Sequence, residues 1–381
     1  MRTPFTRTLH AAVAAGAVIS LGLAGAAGAA SATPRARPAR PVTAYVVNRG
    51  SNTVTPIRAV TALKAIKVGP SPTAIAITPN GRTAYVVNSG AGPAARGTVT
   101  PINTATGQAG PAITVGSAPV AIAITPNGKT AYVANSRSGT VTPVHTATGR
   151  AGHAITVGSD PLAIAITPDG KTAYVANSRS GTVTPIHTAT GRAGHAITVG
   201  SFPIDIAITP GGKTAYVANY NAGTVTPIST ATGQGGHAIT VGYYPADIAI
   251  TPNGKTAYVA DEAIVGAGSR AVTPINTATG TAGTPITVGF SPRAIAITPN
   301  GKTAYVLWVS GVTPICTATN KTGKPITAGS IPDAIAITPD GKTAYVASFG
   351  SGTVTPIHTA TGTALKAIKV GNLPAAIAIT P

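Results

Sequence analysis

Apolar and polar positions alternate along this chain in short runs rather than long stripes. Segments of four to seven residues recur, as in IAITPDG (Ile164 to Gly170), TAYVAN (Thr172 to Asn177), GTVTPI (Gly181 to Ile186) and AITVG (Ala196 to Gly200). Runs rich in Val, Ile, Thr and Tyr, bounded by Gly, Pro, Asn or Asp, predict short β-strands. No segment sustains a 3.6-residue apolar period long enough for a helix. Asn-Gly or Asp-Gly before Lys-Thr marks a tight hairpin, because these residues accept positive φ. The four segments, labelled A, B, C and D, therefore predict one four-stranded antiparallel meander.

The meander repeats. Thr-Ala-Tyr-Val places its Tyr at 45, 85, 132, 174, 216, 258, 305 and 345, at spacings of 40 to 47 residues. One such sheet cannot bury both of its half-apolar faces alone, and stacking around an axis at this period gives a propeller. Strand A alternates Ala with Ile, which suits a crowded hub. The repeat begins at a B strand (Thr43) and ends at an A strand (Ile377 to Pro381). The expectation is an all-β, eight-bladed β-propeller of four-stranded antiparallel blades over residues 43–381, closed by pairing of the N- and C-terminal strands. The 45 Gly and 33 Pro then read as turn punctuation, not disorder.

The Tyr-Val-x-Asn strings at Tyr85 to Asn88, Tyr132 to Asn135, Tyr174 to Asn177 and Tyr216 to Asn219 resemble those of the YVTN-repeat β-propeller family. The surrounding Pro-x-x-Ile-Ala-Ile-Thr-Pro-Asp/Asn-Gly-Lys supports the resemblance, which covers residues 43–381. It implies a propeller, often extracytoplasmic or surface-layer associated. It implies no single activity, since related propellers include binding modules, lactonases and cofactor oxidoreductases. The sequence departs from the pattern after Tyr258 (Val-Ala-Asp), Tyr305 (Val-Leu-Trp) and Tyr345 (Val-Ala-Ser). The family's usual Asp after strand C is here His, Asn, Ser, Arg or Cys, so nothing attached to that Asp carries over.

The N-terminus reads as an export signal over residues 1–32: Arg2 and Arg7, an apolar run from Ala11 to Ala30, then Ala30-Ser31-Ala32 for cleavage. A retained anchor is the competing reading, but the run is dominated by Ala and Gly rather than Leu. A Pro/Arg-rich linker (33–42) follows. The expected product is secreted or at the cell surface, with no stable membrane insertion once the signal is removed. Cys316 is the only cysteine, so no internal disulfide forms and paired-cysteine metal sites are excluded. The chain carries 27 Lys plus Arg against 8 Asp plus Glu. That excess favours anionic partners outside the cell, or else serves solubility.

In a meander, A–B and C–D turns share one rim and B–C and D–A loops the other. The A–B rim carries Arg82, Lys129, Lys171, Lys213, Lys255, Lys302 and Lys342, one per turn. Lys64, Lys67, Lys366 and Lys369 fall in outermost D strands, where Lys blunts an exposed edge. His145 with His153, and His187 with His195, could face each other across C–D hairpins, a weak zinc signal without a carboxylate. Asp205 and Asp247 stand where other repeats carry Ala, and two carboxylates near the channel mouth could bind calcium or share a proton. No other cofactor is expected. The aromatics outside the repeat, Phe202, Tyr220, Tyr243, Tyr244, Phe290, Trp308 and Phe349, fall in or beside the opposite rim. Asp205, Asp247, Asp261, Glu262, Arg270, Arg293 and Asp333 share their sector. Rings with interspersed charges suit a ligand-binding face, although the rings could instead pack on one another.

No Gly-x-Ser-x-Gly elbow or His-Glu-x-x-His occurs. The only Glu is Glu262, and Trp308 is the only Trp. The leading expectation is thus a secreted binding or scaffold propeller that recognises a glycan, peptide or anionic cell-envelope polymer through its B–C/D–A loops, with nucleic acid less favoured. The alternative is a metal-dependent hydrolase, such as a lactonase, at the channel mouth. A purely structural surface-layer ring is the third.

Overall fold

The computed structural model describes residues 42–92, 95–262 and 270–381. The signal and linker read from the sequence lie outside them, Val42 apart. Among the described residues there is no helix, and eight antiparallel sheets repeat one plan. Blade 3 shows it: strand A (Pro119–Ile124) pairs with B (Thr130–Asn135), and B with C (Thr140–His145). Strand D is interrupted, so that Arg150–Ala151 and Ile155–Thr156 each pair with one end of C.

The interruption has a local cause. Strand C carries Pro143 at its centre, and its carbonyl accepts the Gly152 N–H in the gap of D. Proline lacks the donor that an unbroken D strand would require there. A Cβ on Gly152 would also come within 3.1 Å of the Pro143 ring. Blades 1 and 8 instead place Leu63 and Leu365 opposite Pro56 and Pro356, with the same N–H to carbonyl bond.

Strand A of blade 1 comes from the far end of the chain. Pro374–Ile379 pairs with Thr43–Asn48 in register Ala44↔Ile379 to Asn48↔Pro374. Thr43 N–H donates to Thr380 Oγ1 at 2.9 Å, and Thr380 N–H to the Thr43 carbonyl at 3.0 Å. The seam expected from the sequence is closed as anticipated, and the ring has eight blades.

Between blades, the recurrent Tyr of strand B is the main tie. Each ring is buried in apolar contacts, and each phenol reaches a turn of the following blade: Tyr45 to the Thr104 carbonyl, Tyr85 to Thr146, Tyr132 to Thr188, Tyr216 to Thr277. Tyr345 completes the circle on the Val60 backbone in blade 1. Within a blade, the Asn ending strand B is buried, and its amide donates to two threonines of strand C, as Asn135 does to Thr140 and Thr142. Glycine is required opposite it: a Cβ on Gly116 would lie 2.6 Å from the Asn135 amide carbon.

Two stability outcomes follow from this construction. Tyr132→Phe leaves the Thr188 carbonyl without its buried donor and should cost about 1–2 kcal/mol in chemical denaturation, with the fold retained. Deleting residues 376–381 should lower the melting temperature far more, because Tyr45, Val46 and Val47 lose their strand A partner; a melting curve of the truncated chain equal to the parent would refute the seam.

Candidate functional site

The D–A and B–C loops form the rim that differs most from blade to blade. The residue before each strand A proline has positive φ in all eight blades: Ser71, Ala118, Asp160, Phe202, Tyr244, Ser291, Ile331 and Leu373, at 50–58°. Left-handed backbone is uncommon for residues other than Gly, Asn and Asp. Its carbonyl is turned to accept the N–H of the residue after strand B, as in Ser136 to Ala118, Tyr220 to Phe202, Glu262 to Tyr244 and Phe349 to Ile331. Variable side chains are thereby held in fixed pairs at the channel mouth.

Blade 7 departs from the rule. Trp308 replaces the Asn, and its ring lies against Gly289, where a Cβ would fall 1.9 Å from it. The indole Nε1 has no hydrogen-bond partner. Strand A there shortens to Ala294–Ile297, and the Val309 N–H reaches Phe290 instead.

A polar arc crosses four blades on this rim. The Tyr220 hydroxyl (blade 5) donates to Glu262 Oε2 at 3.5 Å, and Ser291 Oγ (blade 7) to Glu262 Oε1 at 3.2 Å. Arg293 stands between Glu262 of blade 6, at 3.6 Å, and Asp333 of blade 8, at 3.9 Å. The Arg293 and Glu262 side chains keep 23% and 20% of their exposure, enough to meet a ligand. Arg293 Nε makes no hydrogen bond. Among the described residues the other ion pairs, Lys171–Asp169 and Lys342–Asp340, are exposed turn pairs on the far rim.

The aromatic residues divide. Phe202, Tyr220 and Tyr244 pack together, with ring centroids 6.3 and 4.9 Å apart, over Ile204, Ala246 and Leu162. For these three, mutual packing is what the structure shows. Tyr243 and Phe290 are exposed, at 72% and 41%. Phe349 is partly buried beside Ile331, and Trp308 lies within strand B. Sequence reasoning grouped Arg293 with its neighbours but missed Ser291 and undervalued Asp333; the departure of Asp333 and Arg293 from small or apolar residues directly after the strand A proline was the available signal.

Asp205 and Asp247 are brought together but buried. Asp205 Oδ2 accepts the Ile248 N–H at 3.0 Å, and Asp247 Oδ2 the Ile295 N–H at 2.6 Å, each from the next blade's strand A. Burial raises Asp205 to about 6. Burial, then the neighbouring Asp205 charge, raises Asp247 well above the usual carboxylate range. One oxygen of each is spent on backbone, and Asp247 Oδ1 is buried without a hydrogen-bond partner. Asp261 takes the place of the strand B Asn; burial raises it to about 7 against hydrogen bonds from Thr273 and Gly242. Among the described residues no three His, Cys, Asp or Glu side chains converge to hold a metal ion. His145, His153, His187 and His195 are exposed.

The family description "Lactonase, 7-bladed beta-propeller" matches residues 42–157. The match covers under half of the chain, and this ring has one blade more. No curated protein matches in sequence. Among solved structures, the chain is similar to a hydrazine synthase chain of Kuenenia stuttgartiensis, at 26% identity and TM-score 0.63, over 76% of this chain and 96% of that one. The dihydro-heme d1 dehydrogenase NirN, at 13% identity and TM-score 0.75 over 92% and 77%, shares the fold. So does a putative 6-phosphogluconolactonase from Bacteroides uniformis, at 18% and 0.60 over 89% and 99%.

The expectation of a binding or scaffold protein is corrected by these matches. The family description is that of lactonases, and the hydrolase alternative is the reading they favour. The Glu262–Arg293–Asp333 arc is assembled from three blades and so leaves no linear motif in the sequence.

The three raised carboxyls, Asp205, Asp247 and Asp261, give a pH dependence of known sign. Their folded pKa values exceed the unfolded value near 4, so the folded state binds more protons and stability falls as pH rises. For Asp205 the loss runs from about pH 4 to 6 and for Asp261 from about 4 to 7. Asp261→Asn restores the amide used by other blades and should stabilise by roughly 1–3 kcal/mol at pH 8 and much less at pH 4; thermal melts at the two pH values check this.

Proposed function

We propose that this propeller is a hydrolase of the lactonase type, acting on a lactone or activated ester at the mouth of the channel on the B–C/D–A rim. The observation that carries the proposal is the Arg293 guanidinium held between Glu262 and Asp333 in a half-open position. The lactonase match over residues 42–157 supports the reaction class. The repeat itself we read as related to YVTN propellers, on the strength of its Tyr-Val-x-Asn strings.

Lactone opening needs a base for the attacking water and donors for the oxyanion. Glu262 is the base: Tyr220 and Ser291 orient its two oxygens, its partial exposure admits water, and the proton it takes passes to the ring oxygen as the acyl–oxygen bond breaks, giving the hydroxy acid. The guanidinium retains N–H groups beyond its two ion pairs and is the donor for the carbonyl oxygen. Asp333 holds the guanidinium from the other side. Phe202 and Tyr244, packed on Leu162, Ile204 and Ala246, provide an apolar wall on the adjoining blades. A metal fits poorly here, because the guanidinium already fills the space between the two carboxylates, and no step depends on one.

Assay of the folded chain against γ- and δ-lactones and aryl esters, with pH-stat detection, tests the proposal. Glu262→Gln should lower kcat by about 10²–10⁴-fold. Arg293→Lys should lower it by about 10²-fold or more, since a lysine cannot engage both acids and the carbonyl at once. Absence of turnover across the panel, with and without added divalent ions, would refute the assignment.

A further inference from the structure

Charge is segregated between the two rims. Asp160, Asp205, Asp247, Asp261, Glu262 and Asp333 belong to the B–C/D–A side or the hub beneath it, together with Arg49, Arg96, Arg137, Arg179, Arg270 and Arg293. That side carries charges of both signs. On the other side the seven A–B turn cations are exposed, and Arg58, Arg150, Arg192 and Lys321 join them from the C–D turns and their flanks. Asp169 and Asp340 are the acids there, and each is already paired with its own turn lysine.

The turn does not impose this imbalance. Asn127 accepts the Lys129 N–H and the Thr125 hydroxyl just as Asp169 accepts those of Lys171 and Thr167. Either residue makes the turn, yet the amide form stands at Asn80, Asn127, Asn253 and Asn300, leaving the neighbouring cations without a counter-charge. The turns are locked in equivalent positions, because the residue opening each C–D turn donates to the A–B turn, as Thr146 does to the Lys129 carbonyl. The cations therefore form a ring normal to the propeller axis.

A second observation lies on the same rim at the seam. Val42 and Val60 are 39% and 45% exposed. Val60 is also held at φ 60°, after Ala59 at 44°, an outlying conformation for a β-branched residue. Two exposed apolar side chains thus flank Arg58 within the cationic ring.

We infer that the A–B/C–D rim is a docking face for a planar anionic lipid surface. A plane can meet cations in all blades at once, whereas a linear polyanion follows only an arc of the ring. Basic residues near an anionic bilayer are attracted over about one Debye length, and exposed valines can enter the headgroup layer without a spanning element. Docking in this orientation turns the Glu262–Arg293–Asp333 mouth away from the lipid and toward solvent. The inference is independent of the hydrolase assignment, since it uses none of those residues.

Co-sedimentation with phosphatidylglycerol/phosphatidylcholine vesicles, and with phosphatidylcholine alone, tests it. The parent chain should bind only the anionic vesicles and be released by about 0.5 M salt. The variant K129E/K213E/K255E should lose at least about tenfold in partitioning. The control K64E/K67E/K366E changes net charge equally on the outer D strands and should keep most of its binding. Equal losses in the two variants would show that net charge alone acts, and would overturn the proposal. So would binding of soluble polyphosphate without vesicle binding, or no binding to either. Circular dichroism of both variants separates misfolding from lost docking, and Val60→Ser, which leaves the charges intact, should weaken vesicle binding while leaving polyphosphate binding unchanged.

Discussion

The ring depends on one contact made around the whole circle, the strand B tyrosine that packs between blades and hydrogen-bonds a turn of the next. Each blade has half-apolar faces that cannot be shielded within the blade. The tyrosine fills that space with a large ring and ends on a backbone carbonyl, so burial and polar satisfaction are met together. Tyr45 and Tyr258 show the result: both are buried, with phenols on Thr104 and Thr317. Desolvation raises the Tyr258 phenol to about 12, which keeps it a neutral donor at any physiological pH.

With one rim fixed by these ties, the other is free to vary. The left-handed residue before each strand A proline and the bond to its carbonyl hold loop side chains in place whatever their chemistry. In blade 3 that frame carries Ala118 and Ser136, and in blade 6 Tyr244 and Glu262. The chemistry of this rim is then a matter of which side chains the frame carries, among them Glu262, Arg293 and Asp333. The arc also shows how a propeller can assemble a site whose members are 31 and 40 residues apart in sequence while adjacent in space.

The repeat, the strand order, the blade number and the seam were all legible, because each rests on periodicity and turn chemistry that the residues display directly. The rims were legible as well. What the sequence did not disclose was depth. Asp205 and Asp247 occupy Ala positions of an inner strand, and the pattern alone does not say whether such a carboxylate faces solvent or caps a neighbour's N–H. Phe202, Tyr220 and Tyr244 look like a binding surface in one dimension and pack on one another in three. Nor could the pattern weigh Arg293, whose role comes from the two acids of adjacent blades. The scaffold reading of the whole chain is overturned by the lactonase family match, which no local motif announced.

The broken D strand has a consequence for the behaviour of the protein at high concentration. Every blade ends in a sheet edge, so the circumference exposes eight edges to other molecules. An intact edge offers a row of unpaired backbone groups that a second chain can extend. Here the central proline of strand C, as Pro143, splits that edge into two pieces of two residues in most blades, and Lys67 and Lys369 add charge where the seam and its neighbour lie. Neither piece is long enough to template a strand from another molecule. A chain with 43% hydrophobic residues and strands throughout is in this way guarded against edge-to-edge polymerisation by the residue that interrupts its own outermost pairing.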